Sequence, residues 1–538
     1  MAVTVVDTRT VINDADSLTS WTGASILNTT AGQYAEATGC VAEAYNIATG
    51  IMFYSTSINV SGLCVYVQSY TNALQNSWKA GTLANSSHSL YISDGTNDVC
   101  ALQAGSDRDV FKHSDTQVSF QSFLFDPDYL TTKNSNGEIY MNAGTVGGFN
   151  PASVTEVGSR FVTLSKALGG GDNCFVDIMR YGNDGLIIYG GSSGSPGLVQ
   201  EIVDLDRSSA NTRGHGLIRT YTAGAFGCQG TLQFGLSGSS YFVDSNISIT
   251  FEDRDVEDDK FKFIVTGTSS ASNRFELTNS SISSARPGVE VICGSNTDFL
   301  TFDGVSFNSL LNDVSFPTDS SGNTHSVINC SFNACGLIDP GTVDFNNNSI
   351  SNGTYATGSL LLDSDGTANW SDLTLNSDGG VGHGIYITAT GSYAFTSIFF
   401  NNFGASGSTS ASVYNNSGGL VTINVGGGGD TPTYRNGTSA STVVNNNITV
   451  TLTGLKDNTE VRVYTTTTTT ELAGIENATA GTIDNRTFAF SLSASLAVDI
   501  VVHNIDYEYL RIDGFVIPNS DSSVPIQQRF DRNYSNPI

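Results

Sequence analysis

The chain has 538 residues, with 57 glycines and only 23 lysines plus arginines against 51 aspartates plus glutamates, giving a formal charge of −28. Such a surface repels nucleic acid and anionic membranes, and no basic stripe interrupts it, so nucleic-acid binding is excluded. No run is long and apolar enough to span a bilayer, so no membrane insertion is expected.

The length suits about three or four domains with ample cores. The eight cysteines show no CxxC and no zinc spacing, and Cys330 reads as a reduced core residue. The N-terminal Met-Ala-Val-Thr-Val-Val-Asp has neither a charged nor an apolar leader segment, which predicts synthesis in a bacterial cytoplasm and release by lysis. No motif implies a cofactor.

From residue 1 to 184, alternating apolar segments predict strands at Val3–Val6, Ile51–Ser55, Leu63–Val67, Ser89–Ile92, Val118–Phe125, Phe161–Leu164 and Phe175–Met179. Turn signals such as Asp94-Gly95 and Asn136-Gly137 separate them, and the pattern predicts a two-sheet jelly-roll sandwich. The runs Asp16-Ser-Leu-Thr-Ser-Trp-Thr-Gly23 and Val118-Ser-Phe-Gln-Ser-Phe-Leu-Phe-Asp126 are similar to the lectin-like sandwich domains of phage virion proteins. That resemblance implies carbohydrate or calcium binding, for which Asp126 and Asp128 around Pro127 are the candidate oxygen ligands. A solvated turn is the plainer reading of the two aspartates, since spacing ties no third ligand to them. Trp21 reads as core.

Residues 185–235 carry apolar runs edged by glycine and are read as entry coils. Beyond them a heptad recurs from Phe242 to Gly426, with large apolar residues at its first and sixth positions and usually Asn, Asp, Ser or Gly at the third. The sixth-position residues are Ile247, Ile282, Phe307, Phe332, Ile350, Leu375, Phe400 and Val425, at steps of 35, 25, 25, 18, 25, 25 and 25. A period in the twenties built of β-branched and aromatic runs predicts stacked strand units. Positions one and six have opposite parity, so both face inward only if the chain bends at position three. Asn, Asp and Gly tolerate that bend best. The pattern predicts a right-handed parallel β-helix over 185–430, with the eight residues as its core and a repeat stack about 34 Å long at about 4.8 Å per rung.

Polysaccharide-cleaving proteins of this shape carry exposed carboxylates, and the candidates here are Asp303, Asp344, Asp363, Asp365, Asp372 and Asp378, with His325 and His383. Asp363, Asp365 and Asp372 are the catalytic candidates, Asp363 and Asp365 sharing a face if extended. The bland account reads Asp303, Asp372 and Asp365-Gly366 as corner or turn residues. Asn346-Asn347-Asn348 reads as an amide ladder along the stack.

Residues 431–440 are read as a linker and 441–538 as a small immunoglobulin-like sandwich, with clean strands at Ile448–Thr453, Glu460–Tyr464, Phe488–Leu492 and Val498–His503. The segments Gly454-Leu-Lys-Asp-Asn-Thr-Glu-Val-Arg-Val-Tyr464 and Phe515-Val-Ile-Pro-Asn-Ser-Asp-Ser-Ser-Val-Pro-Ile-Gln-Gln-Arg-Phe-Asp-Arg-Asn-Tyr534 resemble the C-terminal module of structural proteins from tailed phages of marine bacteria. What this implies is a virion component. Arg529, Phe530, Arg532 and Tyr534 are expected to dock the tail onto a neighbouring domain or chain.

The expectation is thus an all-β structural protein at the surface of a phage particle, either a tail fibre or spike for host attachment or a capsid decoration. It is expected to be a homotrimer contacting other capsid or tail proteins and host-surface polysaccharide. A depolymerising tailspike and a bacterial carbohydrate-binding adhesin are the alternatives.

Overall fold

The computed structural model describes residues 3–29, 39–43, 49–71, 88–101, 121–128, 139–162, 174–202, 217–235, 240–252, 260–266, 273–284, 288–294, 299–318, 324–353, 357–363, 370–466, 470–475, 485–492, 495–518 and 521–532. Their regular structure is almost wholly strand, and no helix among them is long and apolar enough to cross a membrane. The chain forms two units, Met1–Asp344 with Ser351–Thr354, and Phe345–Ile350 with Tyr355–Ile538.

The first unit begins with two antiparallel sheets. One orders Gln121–Phe125, Val65–Thr71, Cys174–Tyr181, Cys40–Glu43 and Ile26–Asn28, and the other Ile139–Ala143, Asp98–Ala101, His88–Ser93, Val154–Val162, Thr49–Ile58 and Trp21–Thr22. Val65, Val67 and Met179 from one and Met52, Leu90, Val157 and Phe161 from the other share a single buried cluster. Trp21 belongs to that cluster, its indole N–H donating to Asn13 Oδ1 at 3.1 Å, so the ring's polar atom is satisfied inside.

Parallel pairing starts at Leu186–Tyr189. The N-terminal strand Thr4–Asp7, expected among the sandwich strands, instead pairs antiparallel with Leu186–Tyr189 and covers its free edge. From there three parallel ladders advance together in the first unit. Leu232–Phe234, Phe261–Val265 and Val289–Cys293 follow Leu186–Tyr189. Ser248–Phe251, Ser281–Ser284, Ser306–Asn308 and Ser331–Asn333 form the second. Tyr241–Ser245, Arg274–Thr278, Phe299–Asp303 and Thr324–Ile328 form the third.

Registered pairing lines up like residues. Ile249, Ile282, Phe307 and Phe332 form one buried column, and Leu277, Phe302 and Val327 another. Each fully buried Phe or Ile contributes about 1.5–3 kcal/mol. On the outside, hydroxyls bond from rung to rung, Ser281 to Ser248 at 2.9 Å and Ser331 to Ser306 at 3.0 Å.

Where the chain passes from the third ladder to the second it bends through left-handed backbone, at Asn246 (φ 59°), Asn279 (47°), Gly304 (66°) and Asn329 (56°). These are residue types that tolerate the left-handed region, which costs other side chains about 1–2 kcal/mol. The same corner recurs in the second unit at Asn347, Asp372, Ser397 and Gly427, with φ of 56°, 55°, 53° and 62°.

Two of the eight heptads are placed differently from the sequence reading. Asp244, not Phe242, pairs with Leu277, and Ile249, not Ile247, pairs with Ile282, so the long first step is 33 residues. Ile247 is still buried, at 4% exposure, because it sits just past the corner. At the other end Val425 pairs with Phe395 and occupies the first position rather than the sixth, with Gly427 at the corner. Leu420–Gly426 is one straight strand with strictly alternating burial. Of the remaining core residues, Ile282, Phe307, Phe332, Ile350 and Leu375 are buried, and Phe400 is half-buried.

In the second unit Leu360–Leu362, Ile385–Ile387, Val413–Asn415 and Tyr434–Asn436 stack in parallel register. Residues 431–440, expected as a linker, therefore carry a strand of this ladder. Ser441–Thr453 then pairs parallel with Leu420–Gly426 and, further along, antiparallel with Asn485–Leu492, so one strand passes from stack to terminal sheet without interruption. That terminal sheet and a second one of Glu471–Ile475, Glu460–Thr465, Leu496–His503 and Leu510–Ile517 enclose Ile448, Val450, Leu452, Val461, Val463, Val498 and Val502.

Candidate functional site

Three of the carboxylates singled out in the parallel region bond to corner or turn residues near them. Asp303 accepts from Asn329 Nδ2 at 2.7 Å, tying one corner to the next. Asp372 is itself a corner residue and accepts from Ser371 Oγ at 2.6 Å. Asp378 closes a turn by accepting the Gly380 N–H at 2.8 Å. The Asp344 backbone N–H donates to the His325 carbonyl at 2.9 Å. Asp363 follows Leu360–Leu362 and is half-buried; burial first, and its charge second, push the Tyr393 phenol up. Asp365 lies outside the described residues.

Both histidines are buried. His325 extends the buried column Phe242–Phe275–Leu300. His383 is 2% exposed, lies 2.6 Å through Nδ1 from the Ala411 carbonyl and stacks on Tyr414 at 5.0 Å. Its Nε2 is buried without a hydrogen-bond partner among the described residues. Desolvation, and then the charge of Arg435, hold its pKa below the ordinary 6.5, the Ala411 bond opposing them.

Asp126 and Asp128, the candidate calcium ligands, hold an ammonium instead: Lys260 Nζ donates to Asp126 Oδ1 at 2.5 Å and to Asp128 Oδ2 at 3.0 Å. The Asp126 and Lys260 side chains are 0% and 9% exposed, so the lysine meets the charge-pairing need a cation would. Among the described residues no group of three or more His, Cys, Asp or Glu is placed to hold a metal. Lys260 also lines a cleft of about 280 Å³ with Thr8, Asn183, Gln233, Lys262 and Ile264, and Lys262 pairs with Glu290 at 2.7 Å. The sequence signal for this cleft is Lys260-Phe261-Lys262, two cations on one strand face in a lysine-poor chain.

The described part of the tail packs in part against the terminal sheets. Ser522–Pro525 pairs parallel with Ser441–Thr453, Gln528 Oε1 accepts the Lys456 N–H at 2.7 Å, and Phe530 meets the Tyr507 ring at 6.1 Å. Phe530 keeps 61% exposure and Arg529 and Arg532 are not buried, while Tyr534 lies outside the described residues.

One lateral feature was missed from the sequence. Tyr386, Tyr414 and Arg435 occupy consecutive outward positions on the second unit's ladder. The tyrosine rings stack at 5.6 Å, and the Arg435 guanidinium lies 5.1 Å from the Tyr414 centroid.

No protein-family model matches the chain, and no curated protein does. Among solved structures it is similar to the catalytic unit of a thermostable GH87 alpha-1,3-glucanase from Streptomyces thermodiastaticus strain HF3-3, at 9% identity over 82% of this chain and 96% of that one, with a TM-score of 0.17. It is also similar to the Agl-KA catalytic domain, at 10% identity over 82% and 98% of the two chains, with a TM-score of 0.15. At such scores the likeness carries no argument about fold or chemistry.

Proposed function

We propose that the chain is a structural component of a tailed-phage particle, displayed at its surface as a tail fibre or spike for host attachment or as a capsid decoration. In this reading residues 1–184 are a lectin-like jelly roll, 185–430 a right-handed parallel β-helix, and 441–538 an immunoglobulin-like sandwich, and three copies assemble about one axis. The observation that carries the reading is how the stack uses its polar groups. Asp303, Ser281 and Ser331 bond to neighbouring rungs or corners, and Asp372 bonds within its own corner. Such use of polar side chains supports a scaffold reading, in which side-chain polarity stiffens the repeat rather than gathering about a reacting bond. The resemblance of the C-terminal segments to phage structural modules adds the virion, and an acidic surface keeps a many-copy protein soluble.

The test is mass spectrometry and immunogold microscopy of gradient-purified particles. Stoichiometric recovery with label at the tail or capsid surface is the expected result, and absence from intact particles would remove the virion assignment. Release of reducing ends from host capsule by the purified protein would move the assignment to a depolymerising tailspike.

A further inference from the structure

We propose that the outward column Tyr386–Tyr414–Arg435 binds a strand of anionic polysaccharide, with Arg435 taking a carboxylate or sulfate group and the tyrosine and Asn416 polar edges taking sugar hydroxyls. The inference deepens the proposed attachment role and rests on it.

The column is made by register. Leu361, Tyr386, Tyr414 and Arg435 follow one another across four parallel strands. All four are partly exposed, and on the first three strands the residues on either side are buried. Asn416 joins the two phenols, its Nδ2 donating to Tyr386 Oη at 3.0 Å and its Oδ1 accepting from Tyr414 Oη at 3.3 Å. This leaves the Tyr386 hydroxyl proton without an acceptor among the described residues, available to a ligand.

Arg435 is the unusual member. In a chain with 51 acidic and 23 basic residues, a cation is easily paired. Lys260, Lys262 and Arg274 each hold a carboxylate. Arg435 holds none among the described residues; its guanidinium lies against the Tyr414 ring, close enough to His383 to act on its charge. Stacking on an aromatic face fixes the guanidinium plane while leaving its N–H fork free, and that fork matches a carboxylate in bidentate geometry. A neutral glycan would leave the fork unused. Because the rungs advance by about 4.8 Å, the column presents its polar edges at intervals comparable with a pyranose residue, which suits a polymer lying along the stack.

The experiment measures binding of the purified full chain to polygalacturonate, dextran sulfate and neutral dextran. It is run at about 0.15 M salt, where the Debye length of about 8 Å screens the general repulsion of an acidic protein. Wild type is expected to bind at least one acidic polymer about tenfold more tightly than dextran. Arg435→Gln should lose most of that preference, with Arg435→Lys between, since it keeps the charge without the fork, and Asn416→Ala should weaken binding to the acidic polymer. An unchanged melting temperature certifies each variant as folded. Binding to the carboxylated polymer alone assigns the group as a uronate, and to the sulfated one alone as a sulfate ester. No binding to either, or equal binding by Arg435→Gln, overturns the inference. Particle localisation is read separately, so a virion protein silent towards acidic polymers sinks this site and leaves the proposed function standing.

Discussion

Phe307 and Phe332 stack face to face, their centroids 4.7 Å apart and their planes 2° from parallel, directly paired in adjacent rungs. Both are essentially unexposed, and Phe316 meets each edge-on at 6.4 and 6.2 Å. A column of this kind couples neighbouring repeats, because deleting one ring removes contacts from the rung above and the rung below. Phe307→Ala should cost about 3–5 kcal/mol and Phe307→Leu clearly less. Thermal or urea unfolding decides it: an alanine variant melting with wild type would show that the ring column does not hold the repeats together.

The corners make a second prediction. Gly304 has φ of 66°, and a Cβ there would lie 3.0 Å from Asn279 Oδ1. Gly304→Ala therefore meets both left-handed strain and a tight neighbour and should cost about 1–2 kcal/mol. Asn246→Gly, at a corner of the same hand, should cost much less, because glycine adopts that backbone freely. Equal melting temperatures for the two variants would argue against a strained corner.

Lys260 and Asp126 join segments 134 positions apart through a nearly solvent-free pair. Burial alone would lower the Lys260 pKa, yet its bonds to Asp126 and Asp128 raise it above the ordinary 10.5. A raised folded pKa means that the pair's contribution is fully present below about 10.5 and is lost as the pH climbs through the folded value. Lys260→Met should cost about 3–5 kcal/mol by leaving Asp126 buried without its ammonium. Adding Asp126→Asn to it should recover much of the loss. Calcium should leave the wild-type melting temperature unchanged, since the ammonium holds the oxygens a metal would need; a rise on calcium addition would restore the metal reading.

What the sequence made legible follows from which contacts are local. The corners at Asn279, Gly304, Asn329, Asn347 and Asp372 could be read because only a few residue types accept their backbone. The first corner was misplaced because Asp244 and Asn246 are both plausible bend residues, and only pairing with Asn279's rung chooses Asn246. Gly427 was hidden in the run Gly426–Gly429, where each glycine suits a bend. Arg435 fell inside residues 431–440, expected as a linker, and its stacking partner Tyr414 lies on another strand. Asp303 and Asp372 were legible as corner residues from their neighbours, whereas the pairing of Lys260 with Asp126 joins two distant segments that no local pattern connects.

The cysteines carry a chemical prediction. All eight are buried thiols outside any disulfide. Burial pushes the Cys100, Cys330 and Cys335 thiols up to about 12. Since the thiolate is the reactive form, native protein should not react with a thiol-specific chromogenic disulfide at pH 8, and eight equivalents should react once it is unfolded. Reductant should leave the melting temperature unchanged. Rapid titration of any native thiol would mean that its strand opens.

His383 gives the pH dependence. Its imidazole is confined between Tyr414 and the Ala411 carbonyl, Nε2 has no partner among the described residues, and Arg435 disfavours a second positive charge nearby. The folded state therefore prefers the neutral ring, and the folded pKa lies below the ordinary 6.5. Above about 6.5 neither state binds the proton and nothing is lost. As the pH falls below that value the unfolded chain takes the proton while the folded chain resists, so stability declines until the depressed folded value is passed and then levels off. His383→Phe keeps an aromatic ring against Tyr414 without the titration, and its melting temperature should fall less than wild type's between pH 7 and pH 5. Carboxylates elsewhere titrate alike in both proteins, so the difference isolates this one group; parallel curves would show that His383 takes its proton as easily folded as unfolded.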